Sequence, residues 1–348
     1  MRQALILCGG KAKRLRPYSY ILPKSSLPFL NLPLLSLAWF YLEQLQVSRF
    51  LLNSHLFPDK LKQTVDFLSK KHQKTNIFFE EEPLGSVGTL YQLKEELQKT
   101  EDFIYINGDV LFFPSKQNHI FDFEKTFFNS NLSALFFVVP YQKRNAEKAL
   151  WHDKDFNLKF IGSKKELENN KLTGLNPSSW LGMAWFKSYL LDSIQKKRTG
   201  LFHDFINSLL KTHKIKIYQD PSAILLEAGD KSSYLSSVKF CLDCLFQKDN
   251  SKFENKETVK KILEDSFKRF DFNDDKVGLK NGKIWGQKLN QNVLLPKSVS
   301  GLDFLKLKGP AVIGSHVSFL DETVLDHCVL DSQIVFKGSL EKELLIKA

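Results

Sequence analysis

Leu5-Ile6-Leu7-Cys8-Gly9-Gly10-Lys11-Ala12-Lys13-Arg14-Leu15-Arg16-Pro17, with Pro23-Lys24 shortly after, decides the reading of this chain. The apolar run Ala4 to Cys8 predicts a buried β-strand. It ends at Gly9-Gly10, where a backbone without Cβ atoms turns tightly and lets a ligand come close. Lys11, Lys13, Arg14 and Arg16 follow at once. A strand, a glycine turn and packed positive charge supply what a phosphate-bearing nucleotide needs: available N–H groups and a local positive field. The spacing is neither G-x-G-x-x-G nor G-x-x-x-x-G-K-[ST], so the dinucleotide and P-loop readings do not apply.

From that strand to Ile106, strands and helices alternate. Leu34 to Leu45, Asp59 to Lys71 and Ser86 to Leu97 carry helical periodicity, with Pro33 suited to a first turn. Arg49 to Asn53, Asn76 to Phe79 and Phe103 to Ile106 read as strands. This alternation predicts an α/β fold: a Rossmann-like, mostly parallel mixed sheet with helices on both faces. Ligands of such sheets sit at the carboxyl ends of the strands. The 9–16 loop, the 80–89 loop and Asp109 all fall there. Further on, Leu132 to Pro140 and Trp180 to Phe186 read as strands, followed by a helix to about Lys197 and others near 204–211 and 234–247. An Asn/Lys-rich stretch, a helix to Phe270 and a turn-rich segment to Gln291 form the expected linker. In the tail, Val317, Thr323, Val329 and Val335 recur every six residues, as do Val312, Ser318, Val324, Leu330 and Phe336. That period predicts a short parallel β-helix of about two turns. The division expected is 1–238, 239–295 and 296–348.

The chain has 348 residues, 43% of them hydrophobic, with 30 phenylalanines, enough for a large core. No stretch approaches ~18 uninterrupted apolar residues, so no membrane span is expected. The run before Gly9 is too short for a secretory leader, and a cytoplasmic location is the default. A formal charge of +11 favours acidic partners. The cations lie in scattered pairs with no aromatic-interleaved stripe, so a nucleic-acid groove is not expected. Cys241 and Cys244 have C-x-x-C spacing but no second ligand pair, so they read as two thiols on one helix face and no zinc site. His203-Asp204 has no nucleophile motif beside it and reads as part of a helix face.

The opening block resembles the signature of the sugar-phosphate nucleotidyltransferases, the pyrophosphorylases that make nucleotide sugars. Gly9, Gly10, Arg14, Leu15, Pro17, Pro23 and Lys24 match its x-G-T-R-[LM]-x-P and Pro-Lys pattern in type and spacing. Ala12 replaces the family's glycine and Lys13 its threonine. Glu80-Glu81-Glu82-Pro83-Leu84-Gly85-Ser86-Val87-Gly88-Thr89 resembles the family's E-x-P-L-G-T-A-G segment. Asn107-Gly108-Asp109 resembles its N-x-D segment, and Glu227-Ala228-Gly229-Asp230 its second metal segment, with Glu where aspartate is usual. The extra methylene obliges that carboxylate to retract by about 1.5 Å. Trp180-Leu181-Gly182 resembles the glycine turn of the sugar site. Lys164 or Lys165 is matched to a sugar-side lysine.

The resemblance implies transfer of a nucleotidyl group: a sugar 1-phosphate attacks the α-phosphorus of a nucleoside triphosphate and pyrophosphate leaves. GTP with mannose 1-phosphate is the first expectation, from the 80–89 segment and the tail. Arg14, Lys24 and Asp109 are then catalytic. Leu7, Gly9, Gly10, Lys11, Lys13, Glu81, Pro83, Gly85 and Gly88 would hold the nucleotide. Asn107, Gly108, Gly182 and Lys164 would hold the sugar, and Asp109 and Glu227 would hold Mg²⁺. The tail, expected as a left-handed β-helix, would mediate assembly into a homo-oligomer. If the position of Ala12 needs a positive φ, alanine costs ~1–2 kcal/mol there. Together with Glu227, that keeps a second expectation open: a degenerate homologue that binds nucleotide sugar and regulates a partner.

Overall fold

The computed structural model describes residues 1–142, 148–194, 202–246, 255–270, 293–294, 299–300, 305–308, 310–314, 316–331 and 334–346. Most of the expected linker (247–254 and 271–292) and the end of the helix expected to reach Lys197 lie outside the described residues. The chain divides into two compact units, Met1–Lys11 with Ala38–Leu225, and Ala12–Leu37 with Leu226–Ala348.

The first unit is built on a nine-stranded sheet. Gln3–Leu7 lies between Arg49–Ser54 and Asp102–Asn107 and runs parallel to both. Lys74–Phe79 continues the parallel set beyond Arg49–Ser54. Leu5 and Ile6 point to opposite faces, and both are fully buried. The sheet is therefore covered on both faces, which is why its strands read as continuous apolar runs. Asn176–Lys187 runs antiparallel to Asp102–Asn107, and pairs also with Ala134–Pro140 and Ala149–His152. Ile215–Gln219 is parallel to Ala134–Pro140, and Leu158–Gly162 closes the far side. Of the nine strands, only Asn176–Lys187 and Leu158–Gly162 point the other way.

Helix Pro58–Leu68 shows how the sequence sets the connections. Pro58 occupies the first turn and Asp59 complements the dipole there. Leu61, Val65 and Leu68 recur on one face, and all three are buried. Two expectations are corrected in this unit. The helix expected over Ser86 to Leu97 is two, Gly85–Gln92 and Lys94–Leu97, because Leu93 leaves helical geometry at φ −99°. The helix expected after Phe186 is a 3₁₀ segment, Ser188–Ser193.

The second unit joins a ribbon, two helices and the tail. The ribbon makes three 3₁₀ turns, at Lys13–Leu15, Tyr18–Tyr20 and Lys24–Ser26. Pro33 is a strand residue: Leu32–Pro33 pairs with Pro28–Phe29, and the helix begins only at Leu35. Tyr234, on helix Lys231–Phe246, is fully buried, edge-on to Phe29 at 5.7 Å, and its hydroxyl donates to Pro28 O. Cys241 and Cys244 are buried free thiols on that helix, and burial pushes Cys244 up to about 11.

The tail forms the parallel strands of a β-helix. Leu305–Leu307, Ser318–Asp326 and Val335–Glu341 stack in one sheet. Val293–Leu294, Ala311–Ile313, Cys328–Leu330 and Leu344–Leu345 stack in another. Partners are 17 or 18 residues apart (Ser318 with Val335, Leu305 with Thr323), so three hexads make one coil. Four stacked strands exceed the two turns expected. Ile313, Val317, Leu325 and Leu330 fill the interior with no exposure.

Candidate functional site

In the first unit, the carboxyl ends of the parallel strands gather the expected segments. The strand Gln3–Leu7 stops at Cys8, where the Asn53 side chain takes over from the ladder. Asn53 Oδ1 accepts from the N–H of Cys8 at 2.8 Å and of Gly9 at 3.2 Å. Its Nδ2 donates to Glu80 Oε1 at 2.9 Å. Thr89 Oγ1 donates to the same oxygen at 2.6 Å, and Leu84 N–H donates to Glu80 Oε2 at 3.2 Å. Glu80 is only 3% exposed. One buried carboxylate thus ties the Gly9 turn to the start of helix Gly85–Gln92, and every oxygen it buries is partnered. A Cβ on Gly9 would collide with Asn53 Nδ2, so only glycine fits that turn.

The segment Asn107-Gly108-Asp109 lies beside the same turn. Gly108 N–H donates to Leu7 O at 2.9 Å, and a Cβ there would come within 2.6 Å of Cys8 Sγ. Asp109 follows, half-buried. Gly182 sits at φ +82°, in the register shift between Trp180 and Ala184 that marks a β-bulge. A Cβ on it would collide with Val110 and lie 3.2 Å from Asn107 Nδ2. Asn107, Gly108 and Gly182 are therefore neighbours.

Of the remaining expected residues in this unit, Leu7 is half-buried against the core, while Gly10, Lys11, Glu81 and Gly85 are exposed. Gly10 and Gly85 have open space where a Cβ would stand, and Gly85 has φ +67°. Pro83 is half-buried and Gly88 is buried within its helix. Ser86 is hydrogen-bonded to the buried Tyr105, whose phenol burial pushes upward. Lys164 lies apart from these segments in the chain, on the exposed helix Lys164–Asn169, 4.0 Å from Glu168. Sequence reasoning missed Asn53 and Glu80. Glu80 is one of three consecutive acids, and no local pattern singles it out.

In the second unit, Lys13 and Arg14 are exposed on their 3₁₀ turn, and Lys24 is half-buried in another. Gly229 lies against Arg14: a Cβ there would come within 2.8 Å of Nη2. The segment expected to follow the second carboxylate thus adjoins the signature arginine. Glu227 is half-buried, and its carbonyl accepts from Ser237 Oγ at 2.7 Å. Asp230 caps the following helix, accepting from Ser233 N–H at 3.0 Å. That N–H and, further down, the Arg14 charge hold its carboxyl below the usual range. The cap's extra stability is therefore present above pH ~4 and is lost as pH falls through the lowered folded value.

Ala12 occupies the left-handed region at φ 42°, ψ 42°. Alanine costs ~1–2 kcal/mol there, against ~0.5–1 kcal/mol of extra chain entropy for glycine. Ala12→Gly is therefore expected to raise stability by up to about 1 kcal/mol. A denaturant midpoint unchanged or lowered would contradict that assignment of strain.

Asp109 and Glu227 offer hard carboxylate oxygens, the donors that suit Mg²⁺. Among the described residues, no three His, Cys, Asp or Glu side chains cluster as a metal cage. This donor set fits an ion that takes its other oxygens from phosphates and water, and does not fit structural zinc. A groove of about 830 Å³ at the opposite edge of the sheet, lined by Met1, Lys99, Lys187 and Asp192 among others, holds none of the expected residues. Among the described residues, no helix is long and apolar enough to cross a membrane.

Residues 3–147 match the family described as nucleotidyl transferase. A mannose-1-phosphate guanyltransferase of Debaryomyces hansenii is 26% identical over 267 residues, 74% of this chain and 69% of that protein. The catalytic subunit beta of a Drosophila melanogaster mannose-1-phosphate guanylyltransferase is 26% identical over 72% of this chain and 65% of that protein. The chain thus spans about two thirds of the length of these relatives. Among solved structures, the inositol-1-phosphate CTP transferase of T. maritima superposes with a TM-score of 0.57 at 18% identity, covering 76% of this chain and 97% of that one. At that identity the likeness concerns the fold.

Proposed function

We propose, from the premise that residues 3–147 belong to the nucleotidyl transferase family, that this chain is a sugar-1-phosphate nucleotidyltransferase, with GTP and mannose 1-phosphate as its substrates. The observation that carries the reading is the side-by-side placement of the Gly9 turn and the Gly108-Asp109 segment at the carboxyl edge of the sheet. The curated relatives support guanylyl transfer over other bases.

The chain's own residues then have these parts. The Gly9-Gly10 backbone, with open space at Gly10, takes the phosphates close to the first strand. Lys11, Lys13 and Arg14 offset their charge, and Arg14 stabilises the departing pyrophosphate. Lys24 orients the reacting phosphates. Pro83, Gly85 and Gly88 shape the base pocket, with Glu81 at its rim, and the Glu80 network keeps it in place. Asn107, Gly108, Gly182 and Lys164 bind the sugar. Asp109 and Glu227 would hold Mg²⁺, which supplies charge neutralisation at the α-phosphate when bound. Little proton chemistry is needed, so rate comes from positioning and charge. Functionally we keep the division into a transferase part (1–238), a linker (239–295) and a β-helix (296–348) that mediates assembly.

Pyrophosphate release, measured across a panel of triphosphates and sugar 1-phosphates, tests this. Release is expected to be greatest with GTP and mannose 1-phosphate and to stop on chelation by EDTA. Ala12, strained in the cationic bend, favours a second reading: a homologue that binds nucleotide sugar and regulates a partner without turnover. Nucleotide binding with no release for any pair would select that reading.

A further inference from the structure

Within the second unit, one residue of the tail reaches both segments that surround Arg14. Glu343 lies between the strands Val335–Glu341 and Leu344–Leu345. It accepts a hydrogen bond from Tyr18 OH, and its Oε2 lies 3.1 Å from Lys231 Nζ. The N–H of Leu344 donates to Oε1 at 3.2 Å and holds the carboxylate in this direction. Tyr18 follows Arg14 by four residues and is 7% exposed. Lys231 follows Gly229 by two, and Gly229 is the residue against which the Arg14 guanidinium rests. A single carboxylate therefore fixes both the ribbon that carries Arg14 and the backbone that supports it.

The Glu343 side chain is 34% exposed and that of Lys231 is 46% exposed. Ion pairs this open contribute little to folding. Their geometric effect is separate, because a displacement of about 1 Å at a phosphate-binding group can cost far more in function than in stability. We propose that Glu343 is a positioning residue: through Tyr18 and Lys231, the β-helix sets the placement of Arg14 for the triphosphate. This rests on the function proposed above.

The test uses the full chain as wild type, Glu343→Ala, Glu343→Gln and Tyr18→Phe. Calorimetry gives the Kd of GTP, steady-state kinetics give KM for each substrate, and melting gives stability. Glu343→Ala and Tyr18→Phe are expected to raise the Kd and KM of GTP about tenfold. The KM of the sugar 1-phosphate should stay within about twofold and the melting temperature within a few degrees. Glu343→Gln keeps an acceptor for Tyr18 and should recover most of the loss. An unchanged GTP Kd in Glu343→Ala overturns the proposal. So does an equal rise in both KM values together with a fall in melting temperature, which marks a merely structural role. If Glu343→Ala does not fold, Glu343→Gln and Tyr18→Phe decide: Tyr18→Phe unchanged from wild type overturns the idea. A wild-type chain that binds no triphosphate fails at an earlier point, since it removes the proposed function itself and this inference with it.

Discussion

Arg14→Ala is expected to lower kcat/KM for pyrophosphate release about a thousandfold while leaving the melting temperature within a few degrees. The two effects separate because Arg14 is exposed on a short 3₁₀ turn, so its loss empties no core. What it removes is a fixed positive charge where the leaving group gathers negative charge. Such donors act more strongly in the transition state than in the bound substrate. Gly229→Ala provides an independent check. Its methyl would approach Nη2 to 2.8 Å, and the guanidinium, as the end of a flexible side chain, would move aside. A smaller loss, about tenfold, in the same direction is expected. Steady-state assays at saturating sugar 1-phosphate read both. Full activity in Arg14→Ala would remove the arginine from the chemistry.

Asp109→Asn is expected to cost at least as much, about a thousandfold or more in kcat/KM. Asparagine preserves shape and loses the charge, so the neighbouring fold should hold. Gly108 keeps its hydrogen bond to Leu7 O at 2.9 Å, which involves only backbone atoms. The diagnostic readout is metal titration: the Mg²⁺ concentration at half-maximal rate should rise by at least about tenfold, because one of few protein carboxylates is gone. An Asp109→Asn enzyme with an unaltered metal dependence would place the ion elsewhere.

What could be read from the chain alone follows from how local each signal is. The first strand, its glycine turn and the succession of strands and helices to Ile106 are local patterns of burial and period, and the fold follows them. The six-residue period of the tail is local as well, and the coils of 17 or 18 residues are three of those periods. Glu80 is different. Glu80, Glu81 and Glu82 are alike in sequence, and only the pairing of Ser54 with Phe79 brings the first of them under Asn53 while the other two stay outside. Pro33 suggested the first turn of a helix, but its preference for an extended neighbour served a hairpin equally well. The attachment of the 12–37 ribbon to the tail was invisible for another reason. Asn31 reaches Ile313 O at 2.9 Å and Tyr18 reaches Glu343, contacts separated by 282 and 325 residues. No propensity or periodicity encodes partners that distant.

The winding of the tail also limits how its length can vary. Each lap returns the chain to the same face after 17 or 18 residues. Excising one whole lap would set the following rungs down on their former neighbours' footprints, with apolar side chains still indoors. Excising a single residue would turn the following strand inside out, because alternate positions face opposite ways. Variants of this tail should therefore tolerate gain or loss in multiples of a lap and little in between.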